Sequence, residues 1–468
     1  MVEMGRGSRR RRWWLWLLSL LALLVGAYFF LQPRIISIEP VDGAAGVATS
    51  SPFEIQFNRA MDKASVEGRM EFSPEIPGRY EWRANRLLFI PDLGWPEGEV
   101  VEVRLRAGVR SALSLPILIN HSWRFSVSQP SIAYLIDQAG QNRLELRVLN
   151  EPDPQVLVET PKGIRAFHIV PEQAALVTVE MQNDGGSQLI WRTLQGEIVR
   201  QLHSCAADLS CRQPALSANG EWLAWQQRSV NRSATGVLET GPWQVYLKKL
   251  EVEAPPQLVK SEGETHSPSW IRPDRLGLYS EALKSLLVYR FSESDGAWQQ
   301  VAQVEHQLGE QWTWSPDGRF VIFPEVVLLD SNNSGVSFFS HLIRVEVESG
   351  LSTDLSGLGN EMIEDASPAY SPDGLQVAFA RKSLDPAEWS LGRQLFVMAS
   401  DGSEVRPLTN EANFNHAGFR WHADGKRLLY IRFNQATLDS PTEIWWYDLT
   451  TDRPSLIVEG GFDPEWMP

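Results

Sequence analysis

The stretch "ASPAYSPDGLQVAFA", Ala366–Ala380, contains a phrase that the chain uses several times. Tyr370 leads into Ser371-Pro372-Asp373-Gly374, and "LQVAFA" then alternates apolar residues with others. Proline pre-sets φ at the first corner of a type I turn, and glycine accepts the positive φ that closes a short hairpin. Asp373 is placed to hydrogen-bond its own backbone two residues on. The run after the turn has the period of a buried or half-buried strand. The phrase therefore predicts strand, tight turn, strand.

Close copies are "WTWSPDGRFVIFP" (Trp312–Pro324) and "FRWHADGKRLLYI" (Phe419–Ile431). Weaker ones are "PALSANGEWLAWQ" (Pro214–Gln226), "PSWIRPDRLGLYS" (Pro268–Ser280) and "FHIVPEQAALVTV" (Phe167–Val179). With the turn proline or its substitute at 171, 218, 273, 316, 372 and 423, successive copies lie 47, 55, 43, 56 and 51 residues apart. A second strand pair follows each, as in "RQLFVMASDGSEVRPLT" (Arg393–Thr409). Four strands per such period is the signature of a β-propeller blade. The terminal "GFDPEWMP" (Gly461–Pro468) reads as the first strand of another blade, broken off at its turn. The segment "QPSIAYLIDQAGQNRLELRVLN", from Gln129, reads as a blade lacking its first strand. Joined, they complete one blade and seal a ring of about seven, with six or eight left open by the weak copy at Phe167–Val179. Closure removes the exposed edges of an open stack.

Ser315-Pro316-Asp317-Gly318 and Ser371-Pro372-Asp373-Gly374, with Asp424-Gly425 as a partial match, resemble the WD40-like (PD40) repeat of TolB-type propellers. The resemblance covers about Gln129–Pro468. It implies a fold used for protein docking, for glycan or peptide binding, and for gating peptidases, and so does not by itself imply one function.

At the front, "RGSRRRR" (Arg6–Arg12) precedes "WWLWLLSLLALLVGAYFFL" (Trp13–Leu31), nineteen residues without a charge. At 1.5 Å per residue this run spans about 28 Å, close to the hydrocarbon core of a bilayer. The arginines place residues 1–32 as a cytoplasmic stub and signal-anchor helix, with the bulk of the chain extracytoplasmic. A signal peptide cleaved after Val25-Gly26-Ala27 is the rival reading. Residues 33–128 carry short strand signals ("IISIEP", "PFEIQFN", "MEFS", "YEWRANRLLFIP", "VVEVRLR", "SWRFSV") at intervals that predict a small β-sandwich. "EPVDGAAGV" (Glu39–Val47), "IQFNRAMDKASV" (Ile55–Val66), "LLFIPDLGWPEGEVVEV" (Leu87–Val103) and "WRFSV" (Trp123–Val127) resemble the bacterial Ig-like domain first known from S-layer proteins. That resemblance implies a spacer or adhesive module without catalytic residues. It weakens over "GVRSALSLPILINHSW" (Gly108–Trp123), where the pairing is open. The expected chain is thus all-β beyond its anchor: sandwich over 33–128, propeller over 129–468.

The formal net charge is −15, although the first twelve residues are basic. Nucleic-acid binding calls for a basic face, and none is evident. The two cysteines, Cys205 and Cys211, are six apart between two expected blades. They read either as a small disulfide loop outside the cytoplasm or as a pair of free structural thiols. Of nineteen tryptophans, Trp270, Trp314, Trp421 and Trp466 fall on expected inner strands, where packing between blades is their reading.

The sequence holds no G-x-S-x-G elbow followed by a hydrolase domain, no H-E-x-x-H, no P-loop and no dinucleotide fingerprint, and so implies no cofactor. His416 and His422 flank a strand and are not read as a metal pair. "DSNNSG" (Asp330–Gly335) opens like a calcium loop, but its twelfth position is His341, so it reads as a solvated loop. Architecture supplies the binding candidates. Residues just before each first strand are expected to ring one mouth of the central channel: Arg212, His266, Glu310, Gln311, Asp365, Asn415, His416 and Asp463. Their functional reading is a polar rim for a ligand, and their bland reading is solvated strand caps. The expected protein is a non-enzymatic, membrane-anchored binding or scaffold protein recognising a protein or a surface glycan. The alternatives are a glycan hydrolase or lyase with carboxylates in the funnel, and a non-catalytic docking subunit of an envelope complex.

Overall fold

The computed structural model describes residues 32–468 apart from 48, 50, 93, 150, 233–237, 252–254, 260–262, 295, 310, 332–334, 358–361 and 438. Two compact units divide between Gln129 and Pro130. The expected anchor helix, Glu310 and the heart of the Asp330–Gly335 loop lie outside the described residues. Among the described residues no helix is long and apolar enough to cross a membrane.

The first unit is two four-stranded sheets. One runs Ile35–Glu39, Phe53–Phe57, Arg86–Pro91, Gly78–Arg83, and the other Ala44–Val47, His121–Val127, Val100–Leu105, Met70–Ser73. Strict alternation drives this. Phe53, Ile55 and Phe57 face a shared core with Val101, Val103 and Leu105, while the residues between them point away. The sequence reading did not contain the parallel pairing of Ala44–Val47 with His121–Val127, or the short helix Lys63–Glu67. Asp62 caps that helix by accepting from the Ser65 N–H, and Val66 anchors it in the core. The doubtful Gly108–Pro116 stretch folds back on itself, with Gly108 N–H donating to Ile117 O at 2.7 Å.

In the second unit the described strands form seven blades. Gly461–Trp466 pairs antiparallel with Ser131–Gln138 and heads a sheet continued by Gln141–Val148 and Gln155–Val158. This is the closing blade. The other six begin with Ile164–Val170, Leu209–Leu216, Thr265–Arg272, Thr313–Trp314, Ile363–Tyr370 and Phe414–Trp421, and are the second to seventh blades in that order. A single parallel bridge, Ser340 to Glu364, joins the fifth and sixth into one sheet. Every consecutive pair shares an apolar seam. Val177 meets Leu223 across one, Phe323 meets Val288 across another, and Ile132 and Tyr134 of the closing blade meet Leu429 and Ile444 of the seventh. A further cluster, Leu135 with Ile169 and Leu176, joins the closing blade to the second, so the cycle of seams has no gap.

The quoted turns do what their residues dictate. In the sixth blade Ser371 Oγ donates to Asp373 at 2.6 Å, and Asp373 accepts from Leu375 N–H at 2.9 Å. Gly374 sits at φ 72°. Ser315-Pro316-Asp317-Gly318 repeats these bonds, and Ser217-Ala218-Asn219-Gly220 does so with asparagine for aspartate. In the degenerate second blade a 3-10 turn, Pro171–Gln173, substitutes, and Ala174 takes the left-handed position at φ 43°. Inner-strand tryptophans latch four of the blades to their predecessors. Trp270 donates its indole N–H to Ala215 O, Trp314 to Ser269 Oγ, Trp421 to Ala369 O and Trp466 to Arg420 O, all at 2.9–3.0 Å.

Candidate ligand-binding mouth of the propeller

The first strands share a defect. Their ladders skip after Arg212, His266, Ala366, Ala417 and Phe462, leaving two residues unopposed. The first of each pair is left-handed: Gln213, Ser267, Ser367, Gly418 and Asp463, with φ between 47° and 68°. Gln311, at φ 62°, stands at the matching point of the fifth blade. Proline follows in four cases (Pro214, Pro268, Pro368, Pro464), where the missing N–H costs nothing because the ladder is already broken. A bulge re-aims the side chains beside it, so the start of every inner strand presents polar groups toward one end of the ring.

A cavity of about 380 Å³ opens there between the fifth, sixth and seventh blades, lined by Gln311, Ser340, Glu364, Asp365, Ser367, Arg393, Asn415 and His416 over an apolar wall of Leu308, Pro324, Val326 and Phe339. Ser367 donates its N–H to Gln311 Oε1 at 2.9 Å, linking two bulges. Arg381 grips both oxygens of Asp365 at 2.7 Å, and Ser356 Oγ donates to one of them at 2.6 Å. Burial pushes the Asp365 carboxyl up, but its acceptor sites are already taken. Glu364 pairs with Arg393 at 3.0 Å. Arg393 also donates its backbone N–H to Asn415 Oδ1 at 3.1 Å, while its Nε is buried without a hydrogen-bond partner. His416 Nδ1 lies 2.9 Å from Arg393 O, so that nitrogen carries the proton. Its Nε2 faces Glu411 at 3.4 Å. His416 and then Arg432 pull Glu411 down to about 2. Arg432 bridges Glu411 and Glu443 and lies 3.9 Å over the Trp445 ring.

Four of the sequence candidates, Gln311, Asp365, Asn415 and His416, therefore meet in one cavity. The structure corrects their setting: all but Gln311 sit inside inner strands, upstream of the bulge, because pairing begins earlier than the turn ruler implies. Asp365 and His416 are buried. The other candidates lie elsewhere. His266 contacts Glu281 and Ser267, each at 3.1 Å, Arg212 stacks on Trp243, and Asp463 is an exposed bulge residue of the closing blade. Sequence reasoning missed Glu364, Arg393 and Ser340, whose strands carry no chemical motif. It also missed an ion pair across the closing seam. Glu465 lies 3.4 Å from His168 Nδ1 and accepts the Ile169 N–H at 2.8 Å. Burial favours the neutral form of each, yet their mutual attraction prevails, raising the histidine and lowering the glutamate. Although the side chain keeps an exposed surface, desolvation by the surrounding protein, opposed by Arg420 and aided by the charge of Glu465, pushes Asp463 up. The two cysteines form a disulfide between the last strand of the second blade and the first of the third.

Residues 31–127 match the family model of the bacterial Ig-like domain. The search of curated proteins returned no match. Among solved structures, TolB from Acinetobacter baumannii is 14% identical, over 80% of this chain and 98% of that one, with a TM-score of 0.37. The β-propeller domain of the Trilobed protease from Pyrococcus furiosus is 11% identical, over 78% and 93%, with a TM-score of 0.43. An oligogalacturonate lyase in complex with manganese is 17% identical, over 61% and 73%, with a TM-score of 0.39. The chain thus carries a bacterial Ig-like domain over residues 31–127, followed by the seven blades described above.

Proposed function

We propose that this chain is a non-enzymatic, membrane-anchored extracytoplasmic recognition protein. Residues 1–32 hold it in the membrane, the Ig-like module, of the S-layer type, acts as spacer, and the propeller, of the TolB-like PD40 kind, binds a protein or a surface glycan. One observation carries the reading. In the mouth of the fifth to seventh blades each acidic group is already engaged by an arginine: Asp365 by Arg381, Glu364 by Arg393, Glu411 by Arg432. A carboxylate so held serves poorly as a general acid or base. The uncharged polar residues of the mouth are Gln311, Ser367 and Asn415, whose amide and hydroxyl groups suit neutral polar groups such as peptide amides or sugar hydroxyls. The disulfide supports an oxidising compartment. The acidic chain does not favour nucleic acid.

A hydrolase or lyase reading has one observation on its side. Asp463 and Glu465, two residues apart on one strand, are displaced in opposite directions, the pattern of an acid and base pair. Glu465 is, however, committed to His168 and Ile169. The full chain in mild detergent, presented to envelope extract and to a glycan array, separates the readings. The recognition reading expects capture that a Gln311→Ala/Asn415→Ala variant weakens at least about tenfold. Turnover of a glycan or peptide panel, abolished by Asp463→Asn, would overturn it.

A further inference from the structure

A second group of charges, at the same end of the second and third blades, is arranged in the opposite way. Arg165 occupies the skip in the ladder of Ile164–Val170, and Arg212 stands immediately before the bulge of Leu209–Leu216. Arg228 lies on the neighbouring strand, opposite Ser210. The Cζ atoms of Arg212 and Arg228 are 4.0 and 4.4 Å from the ring centre of Trp243, a buried side chain, so the two guanidiniums can be no farther apart than the sum of those distances. Arg165 Nη1 reaches the same place by donating to Ser210 Oγ at 2.7 Å and, more weakly, to Cys211 O at 3.5 Å.

Several other arginines of the blades meet carboxylates, as in Arg143 with Glu145, Arg192 with Glu180 and Arg381 with Asp365. Among the described residues none lies within ion-pair distance of these three. Glu264 acts on Arg212 only through its longer-range charge. Arg212 spends its Nε on Gln226 Oε1 at 2.8 Å, whereas the Arg228 Nε is buried with no hydrogen-bond partner. Burial and the charge of Arg228 push both Arg165 and Arg212 down. Three like charges therefore gather at this end of the two blades, Arg212 and Arg228 half-buried and Arg165 exposed, and among the described residues no carboxylate pairs with them, Glu264 acting on Arg212 only from a distance.

We propose that Arg165, Arg212 and Arg228 form an oxyanion-binding site, taking a carboxylate or sulfate group of the ligand. The guanidinium fork matches the two oxygens of such a group, and several forks around one anion convert their repulsion into binding. Trp243 holds two of the heads in place by its ring. The Cys205–Cys211 disulfide pins the segment whose Ser210 and Cys211 orient Arg165. The site stands whether or not the mouth of the fifth to seventh blades binds a partner.

The test is calorimetric titration of the full chain in detergent with sodium sulfate and with trisodium citrate, ionic strength being held constant with sodium chloride. We expect saturable binding of at least one anion and a rise in Tm beyond the chloride control. Arg228→Gln should weaken that binding at least about tenfold and raise the Tm measured without anion, since it removes the repulsion. Arg165→Gln alters an exposed side chain and should lose affinity with the fold intact. Arg290→Gln, an exposed arginine of the fourth blade, should leave the affinity unchanged. Stabilisation that only follows ionic strength, wild-type affinity in both Arg228→Gln and Arg165→Gln, or loss of binding in Arg290→Gln would each overturn the site.

Discussion

The sixth blade and the closing blade are built to one plan by different means. The sixth is contiguous, its strands running from Ile363–Tyr370 to Arg406–Pro407, so each pairing is local. The closing blade joins Gly461–Trp466 to Ser131–Gln138, with six blades of chain between. Both carry the bulge with its proline, Ser367-Pro368 in one and Asp463-Pro464 in the other, and an aromatic residue three positions after the left-handed one, Tyr370 and Trp466. Both first strands reach both of their neighbours, that of the sixth blade through Ser367 to Gln311 and through Ala369 O to Trp421, but the closing strand includes a carboxylate among its contacts. Trp466 is latched to Arg420 of the seventh blade, and Glu465 to His168 and Ile169 of the second. The difference teaches where a charged cross-seam contact is placed. A strand brought from the far end of the chain must overcome a closure entropy that a hairpin does not face, and specific contacts to both sides help to offset it.

Five changes break or sharpen this comparison. The largest effect is expected from deleting 461–468, which exposes the edge of Ser131–Gln138 and opens two seams. The loss should approach a whole domain's stability, about 5 kcal/mol or more, in denaturant unfolding. Next, Ile444→Ala in the closing seam and Leu395→Ala between the sixth and seventh blades should each cost about 2–5 kcal/mol, since both residues are fully buried. Only the first should loosen Gly461–Trp466 in hydrogen exchange. Trp466→Phe removes the latch to Arg420 and should cost about 1 kcal/mol.

The smallest expected effect, under about 1 kcal/mol because both groups are partly exposed, is that of Glu465→Gln, and it should depend on pH. The folded Glu465 sits below its ordinary 4.5, so its contribution is present above that value and fades as pH falls through the lower, folded one. The folded His168 sits above its ordinary 6.5, so its contribution is full below 6.5 and fades as pH rises through the higher, folded one. The gap between wild type and variant should therefore be widest between these two ordinary values, about pH 4.5 to 6.5, and shrink on both sides. A gap independent of pH would show that the pair adds nothing to the seam.

What could be read from the sequence was local. Ser371, Asp373 and Gly374 act through their own backbone torsions and bonds within a few residues, so the turn, its copies and the blade period were legible. The closing strand was legible because it carries the first half of the same phrase. The bulge is marked in the sequence by a second proline, Pro368, four residues before Pro372, but the turn alone already accounts for the phrase. Glu364 and Arg393 were not legible, since their pairing joins strands 29 residues apart with no motif at either end. The convergence of Arg165, Arg212 and Arg228 is likewise a product of two neighbouring blades. Strand register decides whether a polar residue such as Asp365 faces solvent or is buried, and the turn ruler left that register undetermined.

Amide hydrogen exchange of the full chain, followed over Ser131–Gln138 and Gly461–Trp466, asks directly whether the ring is sealed by the last strand. We expect both segments to exchange slowly and together, at the pace of the inner strands of the sixth and seventh blades. Gly461–Trp466 exchanging at the rate of an unpaired chain while those blades stay protected would contradict the closed ring.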